Sequence, residues 1–168
     1  GSQGSQRLNE LIPLVLNKLG KVSIKHQCGI GNLQDTQLSY DAANIDFSKI
    51  EVCEFIDNMD DAYHWSDIVI CRSGALSVTE IMASGSIAIF IPLPWSIDNH
   101  QFYNAQQLKD KNAGYLIEES ITLSDDLIEL FKFIRDDQNK GQLKLMKQNA
   151  LNCFIKDSEN TIFEKVVN

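Results

Sequence analysis

The stretch "CRSGALSVTEIMASG", Cys71 to Gly85, comes nearest to chemistry in residue type and spacing. It follows the apolar run "DIVIC" directly, and Ser73-Gly74 predicts a tight turn with a helix starting at Ala75-Leu76. The first N–H groups of a helix have no partner within it. After a strand of a doubly wound sheet they point out of the carboxyl edge, where such sheets bind ligands. The helix dipole adds partial positive charge there. A diphosphate suits that place, and Gly74 lets the backbone come close because it has no side chain. Glu80, one turn beyond Leu76, could accept two hydrogen bonds from a ribose diol. The same letters also have a purely structural reading, since Ser77-Val78-Thr79-Glu80 matches the S-x-x-E helix capping box.

Three other stretches carry weaker signals. "PLPWSIDNHQFYNA", Pro92 to Ala105, leaves the run "IAIFI" and crowds Asp98, Asn99, His100, Gln101 and Asn104 at the start of a helix. Neutral hydrogen-bonding groups of this kind suit sugar hydroxyls better than a metal or acid–base work. Asp98 is equally a good helix N-cap, and His100 is either a general base or an ordinary surface histidine. "EFIDNM", Glu54 to Met59, puts the flat face of Phe55 and the backbone of Ile56 just past a strand, where they could meet a base. Phe55 could as well belong to the core. The opening "GSQGS", Gly1 to Ser5, reads as an expression-tag remnant or as a phosphate-holding glycine loop entering a helix. There is no Walker loop, G-x-G-x-x-G, G-x-S-x-G or H-E-x-x-H, and no D-x-D to hold a divalent cation.

The elements that must position these residues follow from hydrophobic periodicity. Val22–His26, Ile50–Phe55, Asp67–Cys71, Ile87–Pro92 and Gly114–Ile117 read as strands. "DIVIC" and "IAIFI" are almost continuously apolar, as in strands covered on both faces. Gln6–Leu19 puts Leu8, Leu11, Ile12, Val15, Leu16 and Leu19 on one helical face. Ala75–Ser84, Asn99–Lys111, Ser124–Arg135, Gln142–Phe154 and Ser158–Val167 also read as helices. The alternation predicts an α/β domain, a Rossmann-like doubly wound parallel sheet with helices on both faces.

Length and composition bound the rest. The 168 residues suit a single domain able to bury a full core. The net charge of −8 repels nucleic acid and anionic lipid, so neither is expected as a partner. No apolar run reaches the ~20 residues of a membrane span, no signal peptide leads the chain, and direct membrane insertion is not expected. Cys28, Cys53, Cys71 and Cys153 form no C-x-x-C pair, which predicts buried reduced thiols in a cytosolic protein and no zinc site.

In combination, "GSQGS-x-x-LN", "EFI", "CRSGA-x-x-x-x-E" and "DNHQ-x-x-NA" resemble the C-terminal, donor-binding half of the MurG family. These are the peptidoglycan N-acetylglucosaminyltransferases that convert lipid I to lipid II. The resemblance covers nearly the whole chain and favours the glycine-loop reading of Gly1–Gly4. It implies the C-terminal half of a GT-B fold, one UDP-GlcNAc-binding domain over 1–168, with the first strand and the N-terminal acceptor domain absent. Without that strand, Val22–His26 would lack a neighbour on one side.

The resemblance also implies roles. Ser2 would contact the phosphate region, Ile56 would read uracil through its backbone, and Phe55 would lie beside the base. Ala75, Leu76, Ser77, Val78 and Thr79 would line the sugar diphosphate, Glu80 would hold the ribose hydroxyls, and Gln101 would bind GlcNAc hydroxyls. The implied reaction is an inverting, metal-independent transfer without a cofactor. Its general base and lipid I acceptor site would belong to the missing domain, so no catalytic residue falls in this chain. The implied location is cytoplasmic, peripheral on the inner membrane. One departure is Ser86-Ile87, where the family usually has proline. Two other readings are a stand-alone donor subunit of a split UDP-GlcNAc transferase and a non-catalytic nucleotide-sugar-binding module. Split subunits usually carry H-A-G where this chain has Arg72-Ser73-Gly74, and an intact Glu80 loop speaks against the non-catalytic module.

Overall fold

A computed structural model of the chain describes residues 4–20, 22–44, 47–94 and 97–167. In chain order its elements are α1 (Gln6–Leu19), β1 (Ile24–Gln27), α2 (Leu33–Ala42), β2 (Ile50–Cys53), α3 (Met59–Trp65), β3 (Ile68–Cys71), α4 (Ala75–Ser84), β4 (Ile87–Phe90), α5 (His100–Asp110), β5 (Tyr115–Leu116), α6 (Leu123–Arg135) and α7 (Lys140–Val167). The strands pair in parallel and are joined through helices, the α/β class that the alternating pattern predicts. The chain divides into two compact units, Gly1–Ala62 with Ser120–Arg135, and Tyr63–Glu119 with Asp136–Asn168.

In the first unit β1 pairs with β2, from Ile24 opposite Ile50 to Gln27 opposite Cys53. Among the described residues β1 has a partner on this side only. The apolar stripe of α1 buries Leu8, Leu11, Ile12, Val15 and Leu16, as its spacing requires. This helix packs against α2 and α6. On α6 the stripe Leu123, Leu127, Ile128, Phe131 and Ile134 is buried in turn.

A polar chain runs through this apolar unit. Asn9, on the buried face of α1, donates from Nδ2 to the Cys28 carbonyl at 2.9 Å. Its Oδ1 therefore faces His26 Nε2, also at 2.9 Å, which must carry the proton. His26 Nδ1 is left as an acceptor for the hydroxyl of the fully buried Tyr40, 2.9 Å away. Burial lowers the His26 pKa from 6.5 to about 4. The folded state thus keeps His26 neutral where the unfolded chain already binds a proton. Stability on this account is complete above pH 6.5 and is lost as pH falls toward 4, by about 3 kcal/mol in all. Urea denaturation at pH 7.5 and pH 4.5 should show His26→Gln losing about 2–3 kcal/mol less than the unsubstituted chain. Equal losses would remove His26 as the acid-labile group.

In the second unit the strand order is β3-β4-β5. All four residues of β4 are buried, which is why "IAIF" has no polar position. The same expectation for "DIVIC" does not hold. Ile68–Cys71 are each only partly buried, because β3 lies at the edge of its ladder. Helix α4 packs against α5 and α7, and α7 also covers β4. Gly85 ends α4 in the left-handed region at φ 65° and donates to the Ile81 and Met82 carbonyls. A Cβ there would stand 2.9 Å from Leu151 Cγ, so glycine is needed both for the turn and for the approach of α7.

Helices α2 and α3 were not expected from periodicity, and α7 is one helix where the sequence suggests two. All four cysteines are free, with Cys28 and Cys153 buried. Burial raises the pKa of the Cys28 and Cys53 thiols. No helix among the described residues is long and apolar enough to cross a membrane.

Candidate functional site

The segment after β2 in the first unit is pinned to the turn after β1. Cys28 N–H donates to the Cys53 carbonyl at 2.9 Å and Gly29 N–H to the Glu54 carbonyl at 3.2 Å. Gly31 N–H reaches the Glu54 carboxylate at 2.7 Å. Ile56 N–H donates to the Gln27 side-chain oxygen at 3.0 Å. Phe55 stands out from this fixed backbone 52% exposed, so it is a surface platform and not a core residue. Of the two Ile56 backbone groups expected to read a base, the N–H is already engaged by Gln27. The carbonyl accepts no hydrogen bond among the described residues. Nothing in the sequence marks Gln27, the last residue of a short strand, for this part.

In the second unit α4 starts directly after β3. Gly74 is its N-cap, with extended backbone and no side-chain cap. The helical bonds begin with Val78 N–H to the Gly74 carbonyl at 3.0 Å, so the N–H groups of Ala75, Leu76 and Ser77 precede the first of them. The exposed side chains here are Ala75, Leu76 and Thr79, with Leu76 73% exposed. Val78 is buried and can offer a ligand only its backbone. Thr79 Oγ1 donates back to the Ala75 carbonyl at 2.9 Å. Ser77 lies inside the helix, so Ser77 and Glu80 form no capping box. Glu80 is instead held by Tyr63, whose hydroxyl donates to Oε2 at 2.9 Å.

The turn before α4 is locked to α5 and to the segment after β4. Ser73, fully buried, donates from Oγ to the Gln101 carbonyl at 2.7 Å. Asn104 Nδ2 donates to the Ser73 carbonyl at 3.0 Å, so this amide braces the turn before α4. Leu93 N–H donates to Gln101 Oε1 at 3.0 Å, leaving the Gln101 amide nitrogen as the group able to donate elsewhere. Arg72 donates to the carbonyls of Ile91 and Pro92 at 3.1 and 3.0 Å and pairs with Glu119 at 2.6 Å.

Asp98 is not the N-cap of α5. The cap is Asn99, and both residues have φ near 53°, a conformation open to short polar residues. The exposed Asp98 carboxylate lies 3.7 Å from His100 Nε2. Ser2 lies outside the described residues. Among the described residues, no three His, Cys, Asp or Glu side chains gather into a group able to hold a metal.

The pattern of the glycosyltransferase family 28 C-terminal domain matches residues 1–162. The chain belongs to that family. Since the match includes Gly1–Ser5, the opening glycines are part of the family domain and not a tag remnant. A Pseudoalteromonas atlantica protein is 43% identical over 132 residues, covering 79% of this chain and 35% of the relative. A Francisella philomiragia protein is 40% identical over 171 residues, covering 99% of this chain and 45% of the relative. Both are named UDP-N-acetylglucosamine–N-acetylmuramyl-(pentapeptide) pyrophosphoryl-undecaprenol N-acetylglucosamine transferase. The chain thus spans less than half the length of these curated relatives. The crystal structure of Acinetobacter baumannii MurG is similar at 36% identity and a TM-score of 0.77, over 89% of this chain and 42% of that one. The Streptomyces nogalater glycosyltransferase SnogD, at 18% identity and a TM-score of 0.62, shares the fold.

Proposed function

We propose that this chain is the donor-binding part of an inverting N-acetylglucosaminyltransferase that moves GlcNAc from UDP-GlcNAc to lipid I, forming lipid II. The observation that carries the reading is the start of α4. An uncapped helix N-terminus on a glycine turn is followed within two turns by a half-buried carboxylate held ready by a tyrosine. Such a helix end favours a diphosphate, and the carboxylate suits a ribose diol.

In this reading Phe55 lies beside uracil and the Ile56 backbone reads it. The N–H groups from Ala75 onward, with the segment to Thr79, bind the sugar diphosphate. Ser2 adds to the phosphate region, Glu80 takes the ribose hydroxyls and Gln101 donates to the GlcNAc. As the acceptor's 4-hydroxyl attacks the anomeric carbon, negative charge collects on the departing UDP. The oriented N–H groups of α4 stabilise it without having to reorganise. The general base, the lipid I site and attachment to the cytoplasmic membrane face are assigned to the remainder of a longer protein.

Glu80→Ala in the complete transferase tests this. The ribose hydroxyls lose a charge-assisted partner worth about 1.5–3 kcal/mol, so the KM for UDP-GlcNAc should rise at least about tenfold. An unchanged KM with a lowered melting temperature would make Glu80 a structural residue and sink the reading.

A further inference from the structure

Tyr63 is nearly buried at the end of an acidic stretch, and its hydroxyl donates to Glu80 Oε2 at 2.9 Å. Its backbone is unusually well anchored. The Tyr63 carbonyl accepts from Ser66 N–H at 3.2 Å, from Ser66 Oγ at 3.0 Å and from Ser86 Oγ at 3.2 Å. The buried Ser86 hydroxyl is in turn 2.9 Å from Ser84 Oγ. The anchored backbone and the burial of the ring together place the phenol as a fixed donor to the carboxylate it touches.

We propose that Tyr63 is a positioning residue for donor recognition, orienting the Glu80 carboxylate toward the 2′- and 3′-hydroxyls of the ribose. By occupying Oε2 it sets the carboxylate plane and leaves Oε1 and the remaining lone pairs for the diol. The proposal rests on the reading of Glu80 as the ribose ligand.

The test is calorimetric titration of the complete transferase with UDP and with 2′,3′-dideoxy-UDP. It uses the unsubstituted protein, Tyr63→Phe, Glu80→Ala and the double variant. Tyr63→Phe keeps the ring and its packing. It should weaken UDP binding about tenfold, leave dideoxy-UDP binding unchanged, and add nothing in the Glu80→Ala background. If Tyr63→Phe weakens both ligands equally, or neither, while Glu80→Ala still abolishes the preference for UDP, the positioning role falls and the ribose reading stands. If Glu80→Ala leaves that preference intact, both fall together.

Discussion

Gly4→Ala is expected to lower the unfolding free energy by about 4 kcal/mol or more, a large share of the ~5–15 kcal/mol that keeps a domain folded. A Cβ on Gly4 would stand 1.8 Å from the Cys28 carbonyl oxygen and 2.7 Å from its carbon. Both atoms are backbone, so no rotamer change relieves the overlap. Gly4 also has φ +69°, where an L side chain costs roughly 1–2 kcal/mol. The Cys28 carbonyl cannot retreat freely, because it accepts Asn9 Nδ2 at 2.9 Å and Asn32 Nδ2 at 3.2 Å. Moving it strands these amides at about 1–3 kcal/mol for each buried group. It also pulls on the Cys28 N–H to Cys53 carbonyl bond that pins the Phe55 segment. Urea denaturation of both proteins measures the difference. A loss under about 1 kcal/mol would show that the loop moves aside freely.

Gly4 also shows what could be read in advance. The letters "GSQGS" suggest a glycine loop, but the reason for this glycine lies 24 residues away, where strand β1 ends. Elements with a strong local signature were legible. Helix α1 has its wide apolar stripe, α4 follows a glycine turn, and β4 is apolar throughout. Helix α2 was not legible because it buries chiefly Thr36 and Tyr40, a polar pair that draws no stripe. Helix α3 is short and opens with charged residues.

The same division runs through the candidate site. Glu80 could be found because a carboxylate shortly after a glycine turn has a chemical meaning by itself. Tyr63, Gln27 and Arg72 could not, since each acts through a contact 17 or more residues away that only the fold creates. The resemblance to a known family supplied roles for the ligand-facing residues but was silent on these supports. Asn104 was legible as polar, but its bond to the Ser73 carbonyl, 31 residues away, was not, since only the fold brings the two together.

Glu119→Ala should cost about 3–5 kcal/mol and, beyond that, blunt the recognition of the sugar. The Arg72 and Glu119 side chains are 16% and 18% exposed, with the guanidinium 2.6 Å from the carboxylate. Removing the carboxylate takes away the counter-charge 2.6 Å from a largely buried cation, a heavier penalty than the pair's own net worth. Arg72 also holds the Ile91 and Pro92 carbonyls, and the next residue, Leu93, donates to Gln101 Oε1. A displaced guanidinium releases that segment and then the amide assigned to GlcNAc. Binding of UDP-GlcNAc should therefore weaken more than binding of UDP, which has no GlcNAc to lose. The double variant Arg72→Met with Glu119→Leu separates the two effects. Apolar replacements remove the desolvation cost of the ion pair, so most of the stability should return. The carbonyls of Ile91 and Pro92 still lack their donor, so the preference for UDP-GlcNAc over UDP should stay reduced. Recovery of both properties would mean that the pair is a stability element alone and that the segment holds Gln101 without it.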